Sequence, residues 1–143
     1  MYSGFYIVEP RPMSDTRLTL RVDFGVNRSI GPGKIRLLEA VERTGSISQA
    51  GRELGMSYRR AWLLIDDMNQ CFSEGVTTAQ PGGAQGGGAT LTEFGKSLIR
   101  NYRAIEQAAS GAAKVRLRKL EGSLRAAPRA AALRKTSIRG SLG

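Results

Sequence analysis

The spacing of hydrophobic and polar positions changes several times along the chain, and each change marks an element. From Arg17 to Phe24, Leu18, Leu20, Val22 and Phe24 alternate with Thr19, Arg21 and Asp23, the two-residue period of a half-buried strand. Gly25 to Gly33 breaks that period and reads as a turn-rich connection. Over residues 34–44, Ile35, Leu38 and Val41 recur at helical spacing, Leu37 widens the stripe, and Gly45 supplies the stop. Ser46 to Leu54 reads as a short second helix with Ile47, Ala50 and Leu54 on one side. Ser46 and Gln49 have the spacing of a capping box, in which the serine accepts from an orphan backbone N–H and the glutamine reaches back. Gly55 gives a sharp turn, and Ser57 caps a third helix running to Cys71 or Phe72. Its inner stripe is Ala61, Ile65 and Met68, with Trp62 and Leu64 beside them, so Trp62 is expected in the core. Val76, Thr77 and Thr78, and then Ala89, Thr90 and Leu91, are strand formers around a loop with five glycines between 82 and 88, the pattern of a hairpin with a glycine-rich tip. Thr92 caps a last helix whose stripe is Phe94, Leu98, Ile99, Tyr102, Ile105 and Ala109; it ends at Gly111 or runs on towards Glu121.

This order of elements predicts a mainly α, α+β chain. Three helices, the second and third joined by a tight glycine turn, make a helix-turn-helix. The hairpin that follows makes it a winged helix-turn-helix, and the last helix is a candidate for dimerisation. Residues 1–16, with Pro10 and Pro12 and no period, read as a flexible arm; translation from Met13 instead of Met1 is an open alternative. Residues 17–112 form the expected DNA-binding domain, and 113–143 a basic tail expected to be disordered.

Charge and composition narrow the function. The net charge is +10, but 114–143 carries nine Lys or Arg against Glu121 alone, so the tail holds most of it. The first 113 residues are nearly balanced. A basic tail attracts any polyanion and does not by itself separate DNA from RNA or anionic lipid. There is no histidine and one cysteine, Cys71. That removes the commonest general base, an intramolecular disulfide and a cysteine-rich zinc site. Asp66 and Asp67 are adjacent and diverge on a helix, so no enzyme, metal or cofactor is expected. Cys71 reads as a buried small hydrophobe. No run is apolar enough for a membrane span and no secretory signal is legible, so the expected location is cytoplasmic.

The candidate chemistry lies where the third helix begins. Tyr58, Arg59 and Arg60 crowd its first turn, where the helix dipole favours acids; an anionic partner in front of that end accounts for the arginines. A major groove admits such a helix, and arginine can bond guanine edges bidentately or hold phosphates. The candidate DNA-contact set is Ser46, Ser48 and Gln49 on the second helix, Ser57, Tyr58, Arg59 and Arg60 on the third, and Gly82, Gly83, Gln85, Gly86 and Gly87 in the wing. The glycine run is not a nucleotide-hydrolase phosphate loop, because no Gly-Lys-Ser/Thr follows it. Phe94, Leu98, Tyr102 and Ile105 are the candidate dimer contacts, with part of that stripe expected on the protomer's own core and the rest on a second copy.

The run GSISQAGRELGMSYRRAWLLIDDMN, residues 45–69, together with GGAQGGGATLTEFGKSLI, residues 82–99, resembles the DNA-binding domain of the ModE family of molybdate-responsive regulators. The GSISQA-like second helix is shared more distantly with LysR-type regulators. The resemblance covers roughly 17–110. It implies a winged helix-turn-helix that dimerises through its first and last helices and reads double-stranded DNA with Ser57 to Arg60 and the 82–88 wing. Full-length members of that family bind molybdate through a C-terminal domain that is not legible in this sequence, so direct molybdate binding is not expected. Beside the homodimeric regulator stand two alternatives: a protein that heterodimerises with a full-length relative and titrates it, and a sequence-tolerant nucleic-acid binder driven by the tail.

Overall fold

The computed structural model describes residues 15–80 and 88–126. They form an α+β winged helix-turn-helix of four helices and two small antiparallel sheets. The expectations for the N-terminal arm, the wing tip at 81–87 and the end of the tail fall outside the described residues. The chain divides into two compact units, one of residues 17–112 and one of residues 1–16 with 113–143.

The first strand is shorter than its alternation suggested. Only β1 (Val22–Asp23) pairs, with β2 (Ser29–Ile30), in the register Val22 to Ile30. Residues 17–21 alternate, but the connection opposite contributes two strand residues before helix α1 (Pro32–Thr44) begins, so the ladder stops. Phe24, expected inside, is 49% exposed. Helix α1 opens two residues earlier than its stripe implied, with proline in its first turn, where the missing N–H costs nothing. It ends at Gly45, whose φ of 70° is left-handed and whose N–H bonds the Val41 carbonyl.

Helix α2 (Ile47–Glu53) and helix α3 (Tyr58–Cys71) follow, then strands β3 (Thr77–Gln80) and β4 (Gly88–Leu91), paired from Thr77–Leu91 to Gln80–Gly88. Helix α4 (Glu93–Glu121) closes the described fold. Thr92 caps it, accepting from the Gly95 N–H at 2.9 Å. The helix continues through Gly111, so residues 113–121, assigned to the tail from sequence, are helical. In the second unit, Val115, Leu120 and Leu124 are exposed.

One core serves the first unit. Ile35, Leu37, Leu38 and Val41 of α1 meet Ala50 of α2, Ala61, Ile65 and Met68 of α3, Val76, Ala89 and Leu91 at the hairpin, and Leu98 and Tyr102 of α4. No polar or charged residue is buried among the described residues. Tyr102 keeps its ring inside and donates its hydroxyl to the Leu20 carbonyl at 2.7 Å. Burial pushes this phenol's pKa up, and the Glu106 carboxylate adds to the effect. Arg103 ties α4 to α1 through two bonds to the Glu39 carboxylate, at 2.8 and 3.0 Å, and reaches Glu106 at 2.7 Å; those carboxylates hold the guanidinium firmly charged. Among the described residues, no helix is long and apolar enough to cross a membrane.

Candidate nucleic-acid interface

The helix-turn-helix is built by local rules. Ser46 precedes α2 in extended conformation, and its hydroxyl accepts from the Gln49 N–H at 3.1 Å. The reciprocal half of the predicted capping box is filled differently: the Ser46 N–H donates to Thr44 Oγ1 at 3.2 Å. Thr44 sits two residues upstream and can satisfy that donor without ordering a long glutamine side chain. Gln49 is left exposed. The chain then reverses through Gly55, at φ 71°, a conformation that costs a side-chain-bearing residue. The Met56 N–H closes the turn on the Gly51 carbonyl at 2.9 Å. Gly51 also sets how near α2 lies to α3, since a Cβ there would stand 3.0 Å from the Ala61 Cβ.

Ser57 caps α3, accepting from the Arg60 N–H at 3.1 Å. Ser57, Tyr58, Arg59 and Arg60 are all exposed. Helix α3 has no acid in its first turn, and neither arginine forms an ion pair with a described residue. Each cation there opposes the helix dipole by roughly 0.3–1 kcal/mol. The positive end of the helix dipole, two guanidiniums with no acid partner among the described residues, a hydroxyl and a phenol form an anion-seeking end.

The structure brings Ser57, Tyr58, Arg59 and Arg60 together. Ser46 and Ser48 are half-buried, with Ser46 engaged as a cap and Ser48 Oγ 3.5 Å from an Arg52 nitrogen. Gly82, Gly83, Gln85, Gly86 and Gly87 lie outside the described residues. The base of the wing is fixed beside the helices: the Ala89 N–H donates to the Gly45 carbonyl at 3.0 Å, and Ser46 bridges to Gly88.

Two placements differ from the sequence reading, and the stripe of α4 divides between core and surface. Trp62, expected in the core, is 47% exposed, and Leu63 beside it 46% exposed. Ala61, Ile65 and Met68 fill the inner face, and Trp62 lies about 100° around the helix from Ala61. The signal was present in the spacing from Tyr58, four residues earlier and itself exposed, but aromatic character outweighed it. Cys71 is half-buried rather than buried. Of the four candidate dimer contacts, Leu98 and Tyr102 are committed to the protomer's own core, and Phe94 is half-buried against Phe72 at 5.1 Å between ring centres. Ile105 alone of the four is exposed.

No protein-family profile matches the chain. Curated relatives do. The chain is 47% identical over 112 residues to the molybdenum-pterin-binding protein MopB of Rhodobacter capsulatus, covering 78% of this chain and 40% of that protein. It is 42% identical over 96 residues to the molybdenum transport protein ModE of Azotobacter vinelandii, covering 66% and 36%. It is 41% identical over 76 residues to the DNA-binding transcriptional dual regulator ModE of Escherichia coli strain K12, covering 53% and 29%. The chain therefore spans well under half the length of each of these relatives.

Proposed function

We propose that this chain is a ModE-family, sequence-specific DNA-binding transcription regulator that reads a major groove with α3. The observation that carries the reading is the exposed Ser57–Arg60 end of α3, with two arginines that form no ion pair with a described residue where the helix dipole already attracts anions. A groove roughly 12 Å wide accepts the helix end-first, with its first turn on base edges and phosphates. Relatives described by name as transcriptional regulators support the same reading.

The wing, held at its base on the α1–α2 junction, lies along the backbone beside that groove. Two copies act on a pseudo-palindromic site, and the protein works in the cytoplasm without enzymatic activity. The basic C-terminal segment adds affinity that is independent of sequence. Selection of bound duplexes from a random pool by the purified chain tests the reading. A recurring motif with two half-sites about one helical turn apart is the expected result; equal recovery of all sequences at physiological salt refutes it in favour of a sequence-tolerant binder.

A further inference from the structure

We infer that Trp62 and Leu63 form an apolar reading surface on α3 that recognises the C5-methyl groups of thymine. This deepens the DNA-reading assignment and rests on it. Trp62 and Leu63 stand side by side on the surface, 47% and 46% exposed, while Ala61, Ile65 and Met68 of the same helix fill the core. Neither side chain makes a hydrogen bond or ring contact with a described residue.

Their placement is specific. Leu63 is four residues after Arg59, and Trp62 four residues after Tyr58, so each stands one turn deeper along the face that opens with the anion-seeking end. Leu63 is on the side of the helix opposite Ala61, Ile65 and Met68. A helix that enters the groove by its first turn presents its second turn to the next base pairs. There the thymine methyl is the one apolar group on the floor of a major groove, and apolar side chains are its complement. The cationic first turn gives attraction and register, and the apolar second turn distinguishes thymine from cytosine, which lacks the methyl. A protein partner on the same patch is disfavoured by Arg59 and Arg60 at its edge, which pair with no described acid and match a polyanion better.

The test uses the full chain and the preferred duplex from the selection, with thymines replaced one at a time by deoxyuridine, which removes only the methyl. At one or two positions per half-site the wild-type chain should lose about threefold to fourfold in affinity, the equivalent of one buried methyl group. Leu63→Ala or Trp62→Ala should abolish that position-specific loss while the variant's circular dichroism and melting stay those of the wild type. Trp62 is the only tryptophan in the chain, so its emission reports on the same contact. It should shift to the blue and resist acrylamide on the preferred duplex, and much less on random DNA. If the preferred duplex is bound with no methyl effect at any position and unchanged emission, this inference falls while the DNA-reading assignment stands. Emission that shifts with protein concentration in the absence of DNA also overturns it, by giving the patch to a second copy. If no duplex is preferred at all, both fall.

Discussion

Gly95 and Gly111 lie on the same helix, yet replacing each with alanine should change stability in opposite directions. Gly95 is in the first turn of α4, pressed against the start of the wing. A Cβ added there would stand 2.3 Å from the Val76 carbonyl oxygen and 3.2 Å from its carbon. The obstacle is backbone, and that carbonyl also accepts the Thr92 N–H at 3.0 Å. The Thr92 hydroxyl holds the same joint, donating to the Gly75 carbonyl at 2.6 Å. Reaching ordinary contact requires about 1 Å of separation between α4 and the hairpin, against those bonds and against the core packing of Leu98 and Val76. Overpacking alone costs about 1–3 kcal/mol, and weakening one or two of the bonds adds about 1 kcal/mol each. The gain in helix propensity returns about 1 kcal/mol. Gly95→Ala should therefore lose about 2–3 kcal/mol, a fall in Tm of roughly 8–24 °C for a unit this size. A Cβ at Gly111 meets nothing within 4 Å, so Gly111→Ala should keep the propensity gain, up to about 1 kcal/mol. Thermal and urea unfolding followed by circular dichroism reads both. Equal stability of Gly95→Ala and wild type, or shifts of the same sign in the two variants, would refute the packing argument.

Further outcomes follow from the same residues. Arg59→Ala and Arg60→Ala should each weaken binding to the preferred duplex, by about 1–3 kcal/mol where the side chain reads a base, with a smaller loss on random DNA; titration of both duplexes by fluorescence anisotropy checks this. Removing residues 127–143 takes away Arg129, Arg134, Lys135 and Arg139; the log–log salt slope of binding should become shallower by up to about 0.9 for each phosphate that these cations neutralise, with sequence preference intact. Tyr102 has its pKa raised on folding by burial first and by Glu106 second. The unfolded chain thus loses this proton first, and the stability it confers is full below about pH 10 and declines above it. Tyr102→Phe should flatten that alkaline decline in urea melts, at a cost near neutral pH of about 0.5–1.5 kcal/mol for the bond to Leu20. Calorimetric titration with molybdate against a sulfate background should show no selective micromolar site. The Arg21, Lys34, Arg43, Lys96 and Arg103 cations are occupied by Asp23, Asp67, Glu53, Glu93, and Glu39 with Glu106, whereas a selective oxyanion pocket needs several donors converging in a dry cavity.

Legibility in the sequence followed how local each determinant is. Ser46, Gly55, Ser57 and Thr92 each cap or turn the chain within one turn of their own position as their spacing implies, although Gln49 does not close the capping box and Thr92 also reaches back to Gly75. The inner stripe of α3 was legible for the same reason, because Ala61, Ile65 and Met68 obey the helix period without reference to the rest of the chain. Alternation over 17–24 could not reveal that only two partner residues lie opposite before Pro32 begins a helix. Nor could the stripe of α4 show which of its apolar residues the protomer keeps: Leu98 and Tyr102 go to α1 and the hairpin by a tertiary choice that the period of 3.6 leaves open. Trp62 was hidden by the prior that large aromatics are inside, a prior that fails where a surface has a binding role.

The base of the hairpin and the helix-turn-helix share one support, and that limits how independently they can move. A two-stranded hairpin is marginal alone, and β3 and β4 pair over only four residues each. What holds them is the α1–α2 junction. Gly45 ends α1 by turning left-handed, and its carbonyl, freed from the helix, accepts the Ala89 N–H. Ser46 begins α2 with its hydroxyl on the Gln49 N–H while its backbone bridges to Gly88. On the other side, Asn69 of α3 accepts the Val76 N–H at 2.7 Å, fixing the start of the hairpin to the end of α3. Both strands of the hairpin are thus tied to the helix-turn-helix by residues that also terminate or extend its helices. A contact that turned α3 would therefore pull on the base of the hairpin through Asn69, and one at the α1–α2 junction would pull on it through Gly45 and Ser46.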